Sequence, residues 1–152
     1  MFLCMGASSI AAEEGVMRFT RAGKKCLLFR DHSLQAMVAT IIGPRDVVIA
    51  ISSSGHSTPV VDGVRRARER GAGTVAVTAG VDSPLAAASA TSLFTTSVPA
   101  GGVLYGEDVT AKWGQILVID VLYAAYAARH VDATVSHLEA TYRAGIERSR
   151  SS

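Results

Sequence analysis

Residues 49–59 read IAISSSGHSTP, an apolar run that ends abruptly in serines, one glycine, one histidine, a threonine and a proline. Residues 46–51 predict a strand, and their apolar character is typical of a central strand covered on both faces. Pro59 favours the first turn of a helix, and Ser57 stands where a residue caps such a helix. The stretch therefore predicts a strand, a tight turn and a helix, which is the repeating unit of α/β folds.

The rest of the chain repeats this alternation. Apolar runs bounded by glycine, proline or charge predict five strands, at residues 2–5, 25–29, 46–51, 74–78 and 92–95. Amphipathic stretches predict helices at about residues 8–22, 33–42, 58–70, 83–89, 107–129 and 132–148. We therefore expect a three-layer αβα sandwich with a five-stranded parallel sheet, doubly wound and flavodoxin-like. One domain would cover residues 1–148, followed by a disordered tail at residues 149–152.

The composition fits a single globular domain. The chain has 152 residues, of which 49% are hydrophobic and 18% charged, enough to bury one core. The net charge of +2 is too small to indicate a nucleic-acid surface or a membrane-surface helix. The apolar runs are too short to cross a bilayer, and the first residues do not resemble a secretory signal. We expect a cytoplasmic protein without membrane contact.

The cysteines and histidines give no sign of a metal or a cofactor. Cys4 and Cys26 lie in apolar runs, which favours buried, reduced thiols over a disulfide. The four histidines are scattered, and none has the spacing of a metal ligand with another histidine or cysteine. We therefore expect neither a metal nor a cofactor.

The serine-rich turn predicts an anion-binding site. In an open parallel sheet, ligands bind beyond the carboxyl ends of the strands, where this turn begins. The hydroxyl groups, the flexible glycine and the free N–H groups of a helix start together suit a phosphate. The candidate residues of this loop are Ser52, Ser53, Ser54, Gly55 and Ser57.

A second loop supports the anion site, although a plainer interpretation exists. Gly6 and Ser8 follow the first predicted strand, and neighbouring strands would bring both loops to one edge of the sheet. In the plainer interpretation the serines serve only as caps and turn residues. The spacing of a dinucleotide fingerprint, a Walker loop or a hydrolase nucleophile elbow is absent.

Three segments resemble one known family, the SIS (sugar isomerase) domain. They begin MGASSIAAEE at residue 5, DHSLQAMVAT at residue 31 and QILVIDVLYA at residue 115. The chain is most similar to the effector-binding domain of RpiR/MurR-type bacterial transcriptional regulators. The resemblance implies a domain that dimerises, or forms a higher homo-oligomer, and binds a phosphorylated sugar. It places a phosphate-binding hydroxyl at Ser8 and further hydroxyls and backbone groups in the serine-rich loop.

The sequence departs from the family pattern in a few places. Cys4 stands where the first loop usually has a glycine, and His56 stands where Glu or Arg is common. Ser57 replaces a threonine, and Lys112 replaces an arginine that is common in the regulators; we expect Lys112 to reach the ligand across a dimer. The regulators also carry an N-terminal helix-turn-helix domain, so we expect no direct nucleic-acid contact from these residues. A missing helix would leave apolar surface bare, to be covered by a partner chain.

Two other functions are compatible with the sequence. A phosphosugar aldose-ketose isomerase would need a base, for which Glu107 is available, with His32 and His56 to assist ring opening. The spacing of these residues does not decide whether Glu107 or His56 is catalytic. A purely structural oligomerisation module would leave the serine loops without a purpose. Apolar residues at helical spacing around Trp113 and Leu117 predict a core face or a dimer seam that includes Asp120.

Overall fold

A parallel four-stranded sheet forms the centre of the molecule in the computed structural model, which describes residues 1–96 and 111–149. The strands are β1 (Phe2–Cys4), β2 (Val47–Ile51), β3 (Gly73–Thr78) and β4 (Thr91–Phe94), in that order across the sheet. All three strand pairs are parallel. The fold class is therefore α/β with a parallel sheet, as the alternation of strands and helices predicts.

The prediction of five strands is wrong in one place. Residues 25–29 form no strand, and only Leu28 makes an isolated parallel bridge, to Phe2 at the outer edge of β1. Beyond this bridge, the Gln35 side chain lies between the two segments. Its Nε2 donates hydrogen bonds to the carbonyl oxygens of Cys4 at 2.8 Å and Phe29 at 2.7 Å. A side-chain amide thus occupies the place where a continuous ladder would form.

Helices cover both faces of the sheet. In the described residues they are α1 (Ser9–Arg21), α2 (His32–Ala39), α3 (Thr58–Glu69), α4 (Pro84–Ala88), α5 (Ala111–Arg129) and α6 (Val131–Ser149). A short 3₁₀ turn, Gly6–Ser8, leads from β1 into α1. The last described helix includes Ser149, and the rest of the predicted tail lies outside the described residues.

The strands bury a different set of side chains on each face, as their two-residue period requires. Leu3, Val48 and Ala50 pack beneath α3 and α4 in one core cluster. Phe2, Ile49 and Ile51 pack beneath α1 and α5 in the other. Together these clusters give three layers, helix, sheet and helix.

The predicted stripe of α5 divides between two environments. Ile116 is partly buried against the α1 side of the core, whereas Trp113 and Leu117 are each 64% exposed. Asp120, which belongs to the predicted stripe, lies with its Oδ1 3.2 Å from the guanidinium Nε of Arg18 on α1. The ion pair joins the two helices of this layer.

Candidate functional site

The ends of three neighbouring strands place three loops at one edge of the sheet. Cys4 pairs with Ile51, and Ile51 pairs with Val77, so β1, β2 and β3 end at nearly the same level. The first loop continues into Ser8, the serine loop (residues 52–57) follows β2, and a third loop (residues 79–83) follows β3. The predicted proximity of the first two loops at the carboxyl edge is therefore present.

The serine loop turns sharply at Gly55, whose φ is +69°. The Gly55 N–H lies 3.2 Å from both the hydroxyl and the carbonyl oxygen of Ser52, which accept its proton. Ser52 is 7% exposed, so its hydroxyl oxygen helps to shape the turn from inside. Its own hydroxyl proton remains available to an acceptor.

The third loop holds the serine loop in place. The carbonyl oxygen of Ser53 accepts hydrogen bonds from the Ala79 N–H at 2.9 Å and from the Thr78 hydroxyl at 3.1 Å. The Leu85 N–H donates to the carbonyl oxygen of Gly55 at 3.1 Å. A Cβ atom at Gly55 would overlap the Ser83 side chain. These contacts from residues 78–85 use the backbone carbonyl groups of the serine loop and none of its hydroxyl groups.

The start of α3 differs from the starts of α2 and α4. Asp31 caps α2 by accepting a hydrogen bond from the Leu34 N–H at 2.9 Å, and Ser83 caps α4 through the Ala86 N–H at 3.3 Å. Ser57 is the N-cap residue of α3, yet its side chain makes no capping hydrogen bond. The first N–H groups of a helix lack intrahelical partners and carry a partial positive charge. The start of α3 is therefore open to an anion.

The exposed side of the loop carries Ser54 and His56. The Ser54 hydroxyl accepts a hydrogen bond from the His56 N–H at 3.3 Å, and His56 Nδ1 lies 2.7 Å from the Ser54 carbonyl oxygen. A proton on Nδ1 would make this second contact a hydrogen bond and would leave Nε2 as an acceptor. Both residues are exposed, so a ligand above the loop can reach them.

The first loop contributes Ser8, which ends the 3₁₀ turn and precedes α1. Ser8 is 8% exposed and occupies the N-cap position of α1, but its side chain makes no capping hydrogen bond. Gln35 supports this loop from below through its bond to the carbonyl oxygen of Cys4. Burial raises the pKa of the Cys4 thiol to about 11, despite the opposing effect of Arg30, so the thiol is neutral at physiological pH.

Neutral donors dominate the serine loop. The sequence has no lysine or arginine between Arg45 and Arg65. Lys112, at the start of α5, lies with its Nζ 5.6 Å from the centre of the Trp113 ring. Glu107 and the rest of the segment before α5 lie outside the described residues. His32 begins α2, on a separate loop from His56.

Sequence reasoning missed three contributors to this edge. The third loop carries small and hydroxyl residues after a strand, as the serine loop does, and this pattern could have indicated its place at the site. Gln35 and Gln115 gave no such signal, because a glutamine within a helical pattern is usually on the surface. Gln35 is 0% exposed and Gln115 is 1% exposed.

A separate cleft of about 460 Å³ lies at the opposite, amino-terminal edge of the sheet. Its lining includes the apolar residues Phe2, Ile49 and Leu122 and the charged residues Lys24 and Arg45. That a partner chain covers a bare apolar face of the sheet stays a prediction. The cleft lies apart from the loops that carry the candidate phosphate site.

Within the described ranges, no helix has both the length and the apolar character that a membrane crossing requires. The same residues contain no group of three or more His, Cys, Asp or Glu side chains arranged to hold a metal ion.

The fold and the loop arrangement are those of a SIS domain. The SIS domain family model matches residues 1–129, and the chain belongs to this family. This confirms the resemblance carried by the first loop, the serine loop and the start of α5.

The relatives of this chain include bacterial transcriptional regulators. An uncharacterized HTH-type transcriptional regulator from Caldanaerobacter subterraneus is 31% identical over 140 residues, 92% of this chain and 49% of that protein. The regulator RpiR of Escherichia coli K12 is 24% identical over 136 residues, 90% of this chain and 45% of RpiR. The chain thus spans about half the length of these curated relatives.

A solved structure shows the same relationship. The Vibrio vulnificus NanR protein complexed with ManNAc-6P superposes with a TM-score of 0.85 and 30% sequence identity. The match covers 96% of this chain and 55% of the NanR chain. The chain is therefore homologous to the SIS domains of RpiR- and NanR-type regulators.

Proposed function

We propose that this chain is the ligand-sensing domain of an RpiR-type regulator and that it binds a phosphorylated sugar. The observation that carries the proposal is the uncapped start of α3, where the Ser57 side chain makes no capping bond although its loop is rigidly held. The similarity to NanR, whose structure holds ManNAc-6P, supports the same ligand class. The proposal assigns binding and no catalysis to these residues, and no contact with nucleic acid.

The phosphate is placed between the first loop and the serine loop. Its proposed donors are the hydroxyls and free backbone N–H groups of Ser8, Ser52, Ser53, Ser54 and Ser57, and Gly55 lets the backbone of the loop approach the ligand closely. A hydrogen bond to a charged group contributes about 1.5–3 kcal/mol. Several such bonds, offset by the cost of ordering the ligand, give an affinity in roughly the micromolar to millimolar range.

Calorimetric and thermal-shift titrations test the proposal. The panel contains N-acetylmannosamine 6-phosphate (ManNAc-6P), other hexose and pentose phosphates, and each unphosphorylated parent sugar. A phosphorylated sugar is expected to bind and to raise the melting temperature, because it binds only the folded state. Its unphosphorylated parent is expected to do neither. Binding of the parent as tightly as the phosphate, or of no panel member at millimolar concentration, would refute the proposed function.

Matched serine variants locate the phosphate. Ser57→Ala and Ser54→Ala each remove one proposed hydroxyl and are expected to weaken binding by about tenfold or more. Ser136→Ala is the control, because Ser136 is exposed on α6 and away from the proposed loops. Equal affinities in all three variants would show that the phosphate is held elsewhere.

We also propose that the domain forms a homodimer or a higher homo-oligomer through α5. Trp113, Leu117 and Val121 follow one another at four-residue spacing and are 64%, 64% and 60% exposed. Large apolar side chains in a continuous exposed stripe are typical of an interaction surface. A symmetric dimer would bury this α5 stripe against its own copy.

A further inference from the structure

Gln115 is a buried amide without a partner. It is 1% exposed, and neither its Nε2 nor its Oε1 has a hydrogen-bond partner among the residues that the structure describes. A buried polar group without a hydrogen bond costs free energy, which an apolar side chain of similar size would avoid. The amide therefore does not stabilise the unliganded fold.

The position of Gln115 on α5 places it at the carboxyl edge of the sheet. The preceding residue, Gly114, lies against Thr95 and Thr96, which follow the last residue of β4. The far half of α5 lies at the other edge, where Leu122 lines the amino-terminal cleft. Gln115 belongs to the buried face of the helix, and α5 also packs against the 3₁₀ turn that carries Ser8.

Thr95 presents a second buried polar group without a partner. Thr95 is 9% exposed, and its Oγ1 has no hydrogen-bond partner in the described part of the chain. Its backbone N–H donates to the Thr78 carbonyl oxygen at 2.9 Å, which ties it to the end of β3, where the Thr78 hydroxyl braces the serine loop. A Cβ atom at Gly114 would lie 3.4 Å from the Thr95 Cβ, so the two unpartnered groups belong to adjacent segments.

The chemistry of these groups suits a sugar better than a phosphate. A primary amide has donors and an acceptor, and a hydroxyl group can satisfy both at once. A phosphate dianion only accepts hydrogen bonds, so it would leave Oε1 unpaired. The phosphate donors, moreover, are already supplied by the serine loop.

We propose that the Gln115 amide, together with the Thr95 hydroxyl, binds the hydroxyl groups of the sugar whose phosphate the serine loop holds. This inference rests on the proposed function, and it names the residues that select among sugars. Loss of the amide leaves the sugar hydroxyls without their partner, so selectivity as well as affinity depends on it.

Gln115→Met tests the inference, because methionine has a similar volume and no hydrogen-bonding amide. Affinity is measured by calorimetry for ManNAc-6P and for any panel sugar phosphate that the wild type binds more tightly, with inorganic phosphate as a competitor. The variant is expected to bind the sugar phosphate about tenfold or more weakly, while the competition constant of inorganic phosphate changes by less than about twofold. Thr95→Val is expected to act in the same direction with a smaller effect.

The melting temperature of the free protein provides a second readout. Gln115→Met is expected to melt at the same temperature as the wild type or higher, because it removes an unsatisfied buried amide. Leu122→Met, at the other end of α5, is the control and should leave affinity unchanged.

The outcomes separate this inference from the proposed function. A wild type that binds no sugar phosphate overturns both. A wild type that binds and a Gln115→Met variant with equal affinity overturn this inference alone. A clear loss of stability in Gln115→Met, or an equal loss for inorganic phosphate, would show a structural or phosphate-binding role and would overturn it as well.

Discussion

The Thr78 hydroxyl donates a hydrogen bond to the Ser53 carbonyl oxygen at 3.1 Å and thereby joins the end of β3 to the serine loop. The same hydroxyl oxygen accepts a hydrogen bond from the Gly80 N–H at 3.1 Å. Thr78 is 0% exposed, so neither contact competes with solvent. The shape of the serine loop thus depends on a residue outside it.

Thr78→Val is expected to weaken both folding and ligand binding. Valine keeps the shape but removes both hydrogen bonds and leaves the Gly80 N–H without its acceptor, at a cost of about 1–3 kcal/mol in the free energy of unfolding. Urea unfolding and sugar-phosphate titration measure the two effects. Thr91→Val, at an exposed position of β4, is the control and should change stability by less than about 0.5 kcal/mol. Equal stability of the two variants would contradict the bracing role.

Gly55→Ala is expected to disrupt the serine loop. Gly55 has a φ of +69°, and a Cβ there would overlap the Ser83 side chain and approach Thr78 Oγ1 to 2.9 Å. The backbone strain and the steric conflict together predict a loss of about 2–4 kcal/mol, with loss of sugar-phosphate binding. Gly43→Ala is a matched control, because nothing lies within 4 Å of its Cβ position. Thermal melting of both variants measures the difference, and equal melting temperatures would contradict the role of Gly55.

The sequence was sufficient to predict most of the architecture. The strand that ends at Ile51 and the helix that starts at Thr58 lie where the apolar run and Pro59 predict them. Residues 25–29 have the composition of a strand, so the sequence alone could not show that they form none. Their pairing is replaced by the Gln35 amide, and a contact between residues distant in sequence leaves no periodic signal.

The candidate site was predictable only in outline. Hydroxyl groups after two adjacent strands indicated the first loop and the serine loop, and both loops lie at the carboxyl edge. That Ser57 does not cap α3 depends on side-chain geometry, which residue type does not determine. The apolar stripe predicted for α5 includes Trp113 and Leu117, which are exposed. The buried polar residue of this helix is Gln115, which apolar periodicity cannot reveal.

Leu117→Glu is expected to dissociate the proposed dimer. A carboxylate in the middle of the α5 stripe would be desolvated at a symmetric interface, next to the same charge from the other copy. Light scattering after size-exclusion chromatography is expected to give the mass of a monomer for the variant and at least twice that mass for the wild type. Ile41→Glu is the control, because Ile41 is 76% exposed and follows α2, away from α5. A wild type that is monomeric at about 100 µM would refute the α5 interface.

Cys4 is expected to make the fold sensitive to alkaline pH. Burial raises the pKa of its thiol from the ordinary value of 9.0 to about 11. Between these values the unfolded chain loses the proton and the folded protein keeps it, so the unfolded state binds fewer protons and stability falls as the pH rises. At one pKa unit per 1.36 kcal/mol, the full loss is about 2–3 kcal/mol, and stability is unaffected by this group well below pH 9.

The comparison of wild type with Cys4→Ala isolates this effect. Both proteins contain the same lysines and tyrosines, so the titration of those groups largely cancels in the difference. Urea unfolding at pH 8 and pH 10.5 is expected to show a larger loss for the wild type by about 1–2 kcal/mol, because most of the thiol's contribution is lost in that interval. Cys4→Ala is less stable at pH 8, since it removes a buried sulfur atom, but its stability depends less on pH. Parallel losses in the two proteins would show that the thiol ionises equally in the folded and unfolded states, contrary to its burial at the end of β1.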